Sequence, residues 1–267
     1  MSDSDIVLYG VLDGIADITL NRPHALNAWT PDLGKRYFDC LEEAERDPTV
    51  RAIVVTGAGR GFCAGADLDY LRDVYEGRTT SGHDPRPQSL PRTLRKPVIA
   101  AINGACAGLG LIMALMCDIR FAAAGAKLTT AFARRGLIAE YGLAWILPRL
   151  AGPSRALDLL LSGRTFLAEE AERIGVVDQL SEPGKVLDDA RDYAAELIRY
   201  SSPAAMATIK RQVYDDLDQR LAEAEAAAKR YMDQSLRGHD FREGVESFLE
   251  RRAPRFQPLS TDSEEVA

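Results

Sequence analysis

The stretch that most constrains this chain is Arg60-Gly61-Phe62-Cys63-Ala64-Gly65-Ala66-Asp67-Leu68. It follows an apolar run, Ala52-Ile53-Val54-Val55-Thr56, which reads as a buried strand. Gly57, Gly59, Gly61, Ala64, Gly65 and Ala66 then leave the backbone uncovered, so a ligand can approach the main chain itself. Asp67 and Leu68 open a helix in which Leu68, Leu71, Val74 and Tyr75 fall near helical spacing. A bared backbone running into a helix start points N–H groups at an anion or a polarised carbonyl.

The pattern recurs. Lys96-Pro97 leads to a second buried run, Val98-Ile99-Ala100-Ala101-Ile102, then to Asn103-Gly104-Ala105-Cys106-Ala107-Gly108-Leu109-Gly110 and the apolar helix Leu111 to Cys117. Two such turns can each aim one N–H at the same oxygen, which makes an oxyanion hole from main chain. Glycines that only permit close packing would leave the same trace at either turn alone. The pair favours the functional reading.

The remaining sequence bounds the class. A chain of 267 residues with 46% apolar content holds one large domain, or one domain with a helical appendage. A net charge of −7 argues against a nucleic-acid or anionic-membrane surface. No apolar run is long enough to span a bilayer. The acidic start, Met1-Ser2-Asp3-Ser4-Asp5, lacks the features of a secretory signal, so a cytoplasmic location is expected. Cys40, Cys63, Cys106 and Cys117 are widely spaced and read as buried thiols. With three histidines and no HExxH spacing, no metal site is expected.

In chain order, Ile6–Leu12 and Ile15–Leu20 read as strands joined at Asp13-Gly14, a hairpin signal. Thr30-Pro31 starts a helix that Asp47-Pro48 ends. Glu76 to Pro91 reads as a surface loop, with a lid as the sharper alternative. Asp118 to Ala122 is a third strand, and Arg134 to Gly142 is a loop. Helices follow at Leu143–Leu150, Ser154–Ser162 and Ala168–Ile174, then a strand at Val176–Leu180. Beyond Pro183 the sequence predicts helices over Val186–Arg199, Pro203–Ser235 and Phe241–Arg251. This gives an α/β core over 1–200, a helical region over 201–258 and an acidic, disordered tail over 259–267. Gly57-Ala58-Gly59-Arg60-Gly61 imitates a dinucleotide loop, but no tyrosine has a lysine four residues later, which argues against a nicotinamide site. No GxSxG or GxxxxGK[ST] motif occurs.

Taken together, these segments resemble the crotonase (enoyl-CoA hydratase/isomerase) superfamily. The matching stretches are Asn21-Arg22-Pro23 with Ala25-Leu26-Asn27, GRGFCAGADL (59–68), KPVIAAINGACAGLG (96–110), CDIRFA (117–122), LPRLAGPSRALDLLLSGR (147–164), EAERIGVVD (170–178) and EGVESFLERRAPRF near the end. The resemblance implies a crotonase-like spiral of repeated β-β-α units with a C-terminal helical trimerisation region. It implies a homotrimer, or a hexamer built from two trimers, and an acyl-CoA thioester as ligand, with coenzyme A part of the substrate and no separate cofactor. By position it implies oxyanion donors at the backbone N–H of Ala66 and Leu109. Contacts to coenzyme A map onto His24, Ala25, Leu26, Ala64, Asp67 and Leu68, with Phe248 and Arg251 near the C-terminus.

The departures decide the reaction. The family's two hydratase glutamates fall on Ile112 and Phe132, and neither side chain can move a proton. Glu140, in Gly136-Leu137-Ile138-Ala139-Glu140, matches the single acid that resemblance assigns to enoyl-CoA isomerases. A carboxylate in an apolar pocket, here one supplied by Leu137, Ile138, Phe132, Ile112 and Trp145, becomes a better base. The expected activity is therefore isomerisation of an enoyl-CoA with Glu140 as base. Two alternatives stay open at this point. One is a hydratase, or another crotonase-type lyase or hydrolase, in which Glu140 positions water with Tyr141 or a backbone carbonyl. The other is a non-catalytic acyl-CoA-binding protein.

Overall fold

In the computed structural model, residues 6–79 and 84–259 are described. Asp13 (φ 51°) and Gly14 (φ 82°) both adopt the left-handed backbone that a two-residue hairpin turn demands. They join β1 (Val7–Leu12) to its antiparallel partner β2 (Ile15–Leu20). Helix α1 (Pro31–Arg46) follows, with the Thr30 hydroxyl accepting from Leu33 N and Pro31 in the first turn.

From here the chain alternates between two sheets. Strand β3 (Ala52–Gly57) enters the large sheet, β4 (Gly61–Cys63) enters a small one, and α2 (Leu68–Tyr75) closes the unit. After a short helix α3 (Leu90–Thr93), the unit repeats as β5 (Val98–Ile102), β6 (Ala105–Ala107) and α4 (Leu109–Met116). A third pair, β7 (Ile119–Ala123) and β8 (Lys127–Thr129), continues the pattern. Next come α5 (Leu143–Ala151), α6 (Pro153–Ser162), β9 (Thr165–Leu167), α7 (Ala168–Arg173) and β10 (Gln179–Ser181). The large sheet runs β1-β2-β3-β5-β7-β10 and the small sheet β4-β6-β8-β9. This is the spiral of β-β-α units that the resemblance implies.

The central strands β3, β5 and β7 of the large sheet are buried on both faces, which explains their unbroken apolar runs. Ile53 and Val55 of β3 face the main core with α1 and α4. Ala52 and Val54 face a second core against Ala190 and Ala194 of α8 (Val186–Tyr200). Arg120 seals the end of β7, its guanidinium 2.7 Å from Asp178.

Two sequence expectations fail locally. Val176 and Val177 are not in a strand, because their N–H groups bond the Ala171 carbonyl at 2.8 and 3.2 Å and close α7 instead. Pairing with β7 begins only at Gln179. The span Pro203–Ser235 is two helices, α9 (Pro203–Asp216) and α10 (Leu221–Ser235). The acidic run Asp215-Asp216 sits at the C-terminus of α9, where the helix dipole disfavours negative charge. Glu223 then reaches back to the Arg220 N–H at 3.2 Å and starts a new helix.

The final helix, α11, spans His239–Glu250. Asp118 anchors α9 to the sheet by accepting from Tyr214 Oη (2.6 Å), Lys210 Nζ (2.7 Å) and the Val98 N–H (2.7 Å). Among the described residues, no helix is long and apolar enough to cross a membrane. The acidic tail lies almost wholly outside the described residues, as do 80–83 within the loop.

Candidate active site

The turn between β3 and β4 is held by two asparagines from distant segments. Asn27 Nδ2 donates to the carbonyls of Ala58 (3.0 Å) and Gly61 (2.8 Å). Asn103 Nδ2 donates to Gly57 (2.8 Å) and Gly59 (3.0 Å). Asn27 is fully buried and Asn103 half-buried, and these bonds satisfy both amides. Several glycines serve contact rather than ligand access. A Cβ on Gly110 would fall 2.2 Å from the Cys63 carbonyl oxygen, so α4 and β4 touch backbone to backbone.

That contact brings the two turns together. Gly65 has φ +93° and Gly108 has φ +50°, both disfavoured for a side chain. Trp29 forms a parallel bridge beside Ala66 by donating to Gly65 O (2.7 Å) and accepting from Asp67 N (2.9 Å). The bridge passes over the Ala66 N–H. Leu109 is the first residue of α4, so its N–H precedes the helix's own ladder, whose bond to Gly108 O comes from Ile112. Ala66 and Leu109 line one cleft of about 280 Å³.

The cleft is lined by the apolar side chains of Trp29, Phe38, Leu71 and Val74 and by Phe132, Leu137, Glu140 and Tyr141. Two carboxyl groups line it among the described residues, Asp84 and Glu140. Asp84 accepts from Arg86 Nε (2.8 Å) and Nη2 (2.7 Å), and that hydrogen bonding holds its carboxyl below the usual range. It is therefore a weak base. Glu140 is half-buried, and its carbonyl caps the start of α5 through Leu143 N at 2.9 Å. Burial pushes the Tyr141 phenol up, helped by the neighbouring Glu140 charge and Tyr70. The site thus brings together two backbone N–H groups with no partner among the described residues, an apolar slot and the carboxyl group of Glu140.

The structure sorts the sequence-predicted residues. Ala66, Leu109, Ala64 and Glu140 meet at the cleft, as do Phe132 and Leu137. Ile112 lies behind it, fully buried in the core, and Ile138 turns outward at 79% exposure, so neither supplies the pocket wall. Trp145 lines an adjoining cavity instead. His24 and Ala25 lie in an exposed 3-10 turn, Pro23–Ala25, and the Leu26 carbonyl is fastened by Ala64 N at 3.1 Å. Asp67 caps α2 through Asp69 N and Tyr70 N, and pairs with Arg22 at 2.9 Å. Its carboxylate is occupied. Leu68 is exposed beside it. Phe248 (83% exposed) and Arg251 do not line the cleft of their own chain.

Sequence reasoning missed Trp29, Tyr70, Asp84, Arg86 and Gln88. Tyr70 was findable, since it follows the helix-opening Asp67 by one turn. The other half of the wall comes from the segment read as a surface loop. There Arg86 reaches Asp39 of α1 at 2.8 Å and Gln88 is buried, so this part is packed.

Comparison with known proteins shows the family. The enoyl-CoA hydratase/isomerase family model matches residues 11–258. The 1,2-epoxyphenylacetyl-CoA isomerase of Escherichia coli (strain K12) is 36% identical over 260 residues, covering 94% of this chain and 98% of that protein. Enoyl-CoA hydratase ACTT3 of Alternaria alternata is 36% identical over 254 residues, covering 92% and 83%. Among solved structures, enoyl-CoA hydratase EchA12_1 of Mycobacterium marinum superposes with a TM-score of 0.70 at 53% identity, covering 80% of this chain and 100% of that one. An enoyl-CoA hydratase of Mycobacterium tuberculosis H37Rv gives 0.88 at 29% identity, covering 95% and 99%. On these grounds the chain belongs to the enoyl-CoA hydratase/isomerase family, the crotonase superfamily of acyl-CoA enzymes.

Proposed function

We propose that this enzyme isomerises an enoyl-CoA, shifting a double bond with Glu140 as the shuttling base. The observation that carries the reading is the inventory of acids at the cleft. Among the described residues two carboxyl groups line the cleft; Asp84 is held below the usual carboxyl range beside Arg86 and is a weak base, Glu140 is half-buried beside Tyr141, and the positions of the two hydratase glutamates hold Ile112 and Phe132. The thioester oxygen would accept from Ala66 N–H and Leu109 N–H, which stabilises the enolate. Glu140 removes a proton from C2 of a 3-enoyl thioester. The electron pair spreads over the carbonyl oxygen and C2 to C4, and the same carboxyl group returns the proton at C4. The double bond moves from C3–C4 to C2–C3. Only a proton and electron pairs within the substrate move, so no separate cofactor enters the balance.

The name of the Escherichia coli relative, an acyl-CoA isomerase, is consistent with this class of reaction. Coenzyme A would lie along Ala64, Leu26, Ala25 and His24 at the exposed mouth, beside Asp67 and Leu68. Exposed apolar side chains on α9 to α11, among them Ile209, Val213 and Leu249, support assembly as a trimer or a pair of trimers. Phe248 and Arg251 would then meet coenzyme A only in the assembled form.

The test is turnover of 3-enoyl-CoA and 2-enoyl-CoA by the wild type and Glu140→Gln. The reading expects double-bond migration to fall about 10²–10⁴-fold in the variant, the range for loss of a general base. Hydration of the 2-enoyl substrate that Glu140→Gln leaves unchanged would refute it, and binding without turnover of either substrate would favour a carrier.

A further inference from the structure

A second cavity, of about 370 Å³, adjoins the cleft and shares Gln88 and Tyr141 with it. Its other walls include Ser89, Arg92, Met116 and Trp145. Among the described residues Arg92 is its only charged lining residue. The guanidinium carbon lies 3.9 Å from the Tyr214 ring centre and 4.7 Å from that of Trp145. Among the described residues, no carboxylate forms an ion pair with it within 4.0 Å.

The charged groups around Arg92 already have partners. Asp118 takes Tyr214, Lys210 and the Val98 N–H. Asp218 pairs with Arg149 at 3.1 Å, and Arg149 itself stacks on Trp145 and repels Arg92. Arg92 is half-buried, and burial outweighs the help it has from the Tyr214, Asp118 and Asp218 charges, so an anion that reached the guanidinium would be favoured. Gln88 adds a further polar group: it is 8% exposed, and its amide Oε1 is buried with no hydrogen-bond partner among the described residues.

We infer that this second cavity is the distal end of the acyl site and takes acyl chains that carry a terminal carboxylate, with Arg92 as the counter-ion and Gln88 at the passage between the cavities. Met116 and Trp145 offer apolar surface to the methylenes, and the planar fork of Arg92 suits a carboxylate. The inference rests on the cleft being the acyl site, but not on Glu140 being the base.

Binding of unreactive ligands keeps the two apart. Saturated ω-carboxyacyl-CoAs of increasing length are titrated calorimetrically into the full-length protein, each against the plain alkanoyl-CoA of matched length. The expected result is a preference for the carboxylated chain at one length, about 10- to 100-fold, the range for a hydrogen bond to a charged group. Arg92→Met should erase the preference and leave plain-chain affinity unchanged. Arg92→Lys, which keeps the charge, should retain part of it. Equal affinity at every length, or a preference that survives Arg92→Met, overturns the inference. So does an Arg92→Met variant that weakens both ligands alike with a changed sedimentation mass, which would assign Arg92 to a subunit contact.

Discussion

A Cβ built on Gly108 would stand 3.9 Å from the Cα of Gly65, so the two small-residue turns meet backbone to backbone. This contact sets the relative position of Ala66 N–H and Leu109 N–H, the residues that directly follow the two glycines. At Gly65 a Cβ would also lie 3.0 Å from the Ala107 carbonyl oxygen, and the φ of +93° is strained for any side chain. Gly65→Ala is therefore expected to separate the turns. We expect kcat/KM to fall about 10²–10³-fold, the range for loss of one oxyanion donor. Circular dichroism should report an intact fold, with stability reduced by about 1–3 kcal/mol.

Arg22 and Asp67 tie the loop after β2 to the start of α2 across 2.9 Å. Burial pushes the Asp67 carboxyl up, but the Arg22 guanidinium and the N–H groups of Tyr70 and Asp69 outweigh it and hold the group below 3.8. A carboxyl group with a lowered folded value stabilises the fold at pH above its unfolded value, and that contribution is lost as pH falls through the folded value. Arg22→Met is expected to cost about 1–3 kcal/mol at neutral pH. Urea titrations across the acid range should show the gap between wild type and variant closing below about pH 4.

Legibility followed the range of the interactions. The hairpin at Asp13-Gly14 and the Thr30-Pro31 helix start were readable because the residues that make them are adjacent in the chain. The two strand-turn-helix patterns that end near Ala66 and Leu109 were readable for the same reason, while the choice of those two residues as donors was implied by the resemblance alone. Three-residue strands were not. Lys127–Thr129 and Thr165–Leu167 carry too few residues to show alternation, and their partners lie far off in sequence. The same limit hid Trp29, Arg86 and Gln88, whose places in the cleft come from tertiary packing. Ile138, expected in the pocket, shows the converse error, because loop sequence does not say which way a side chain turns.

The cysteines make a chemical prediction. Burial pushes the Cys63 and Cys117 thiols up to about 12 and Cys40 to about 11, and raises Cys106 further above its ordinary range. Thiolates are the reactive form, so all four should resist iodoacetamide in the native protein near neutral pH. Mass spectrometry should find labelling only after denaturant is added. Rapid native labelling at Cys63 would show that β4 opens easily, against the rigid site described above.

Asp118 joins α9 to the ends of β5 and β7 through Tyr214, Lys210 and Val98. Asp118→Asn leaves Lys210 Nζ without its carboxylate in a setting where that charge is 10% exposed. The expected destabilisation is about 3–5 kcal/mol, as for other buried pairs broken on one side. Hydrogen exchange should rise first in α9. An unchanged pattern there would mean that the helix is held by other contacts.

The central claim is that one carboxyl group carries the proton from C2 to C4 in the cleft formed by Ala66 and Leu109. Its most direct test follows 3-enoyl-CoA by proton NMR in deuterated water, with wild type and Glu140→Gln at matched concentration. The account predicts that the wild type yields 2-enoyl-CoA, with C2 and C4 hydrogens exchanging or transferring, and that both processes fall together by about 10²–10⁴-fold in the variant. Proton loss at C2 or product formation at the wild-type rate in Glu140→Gln would contradict it.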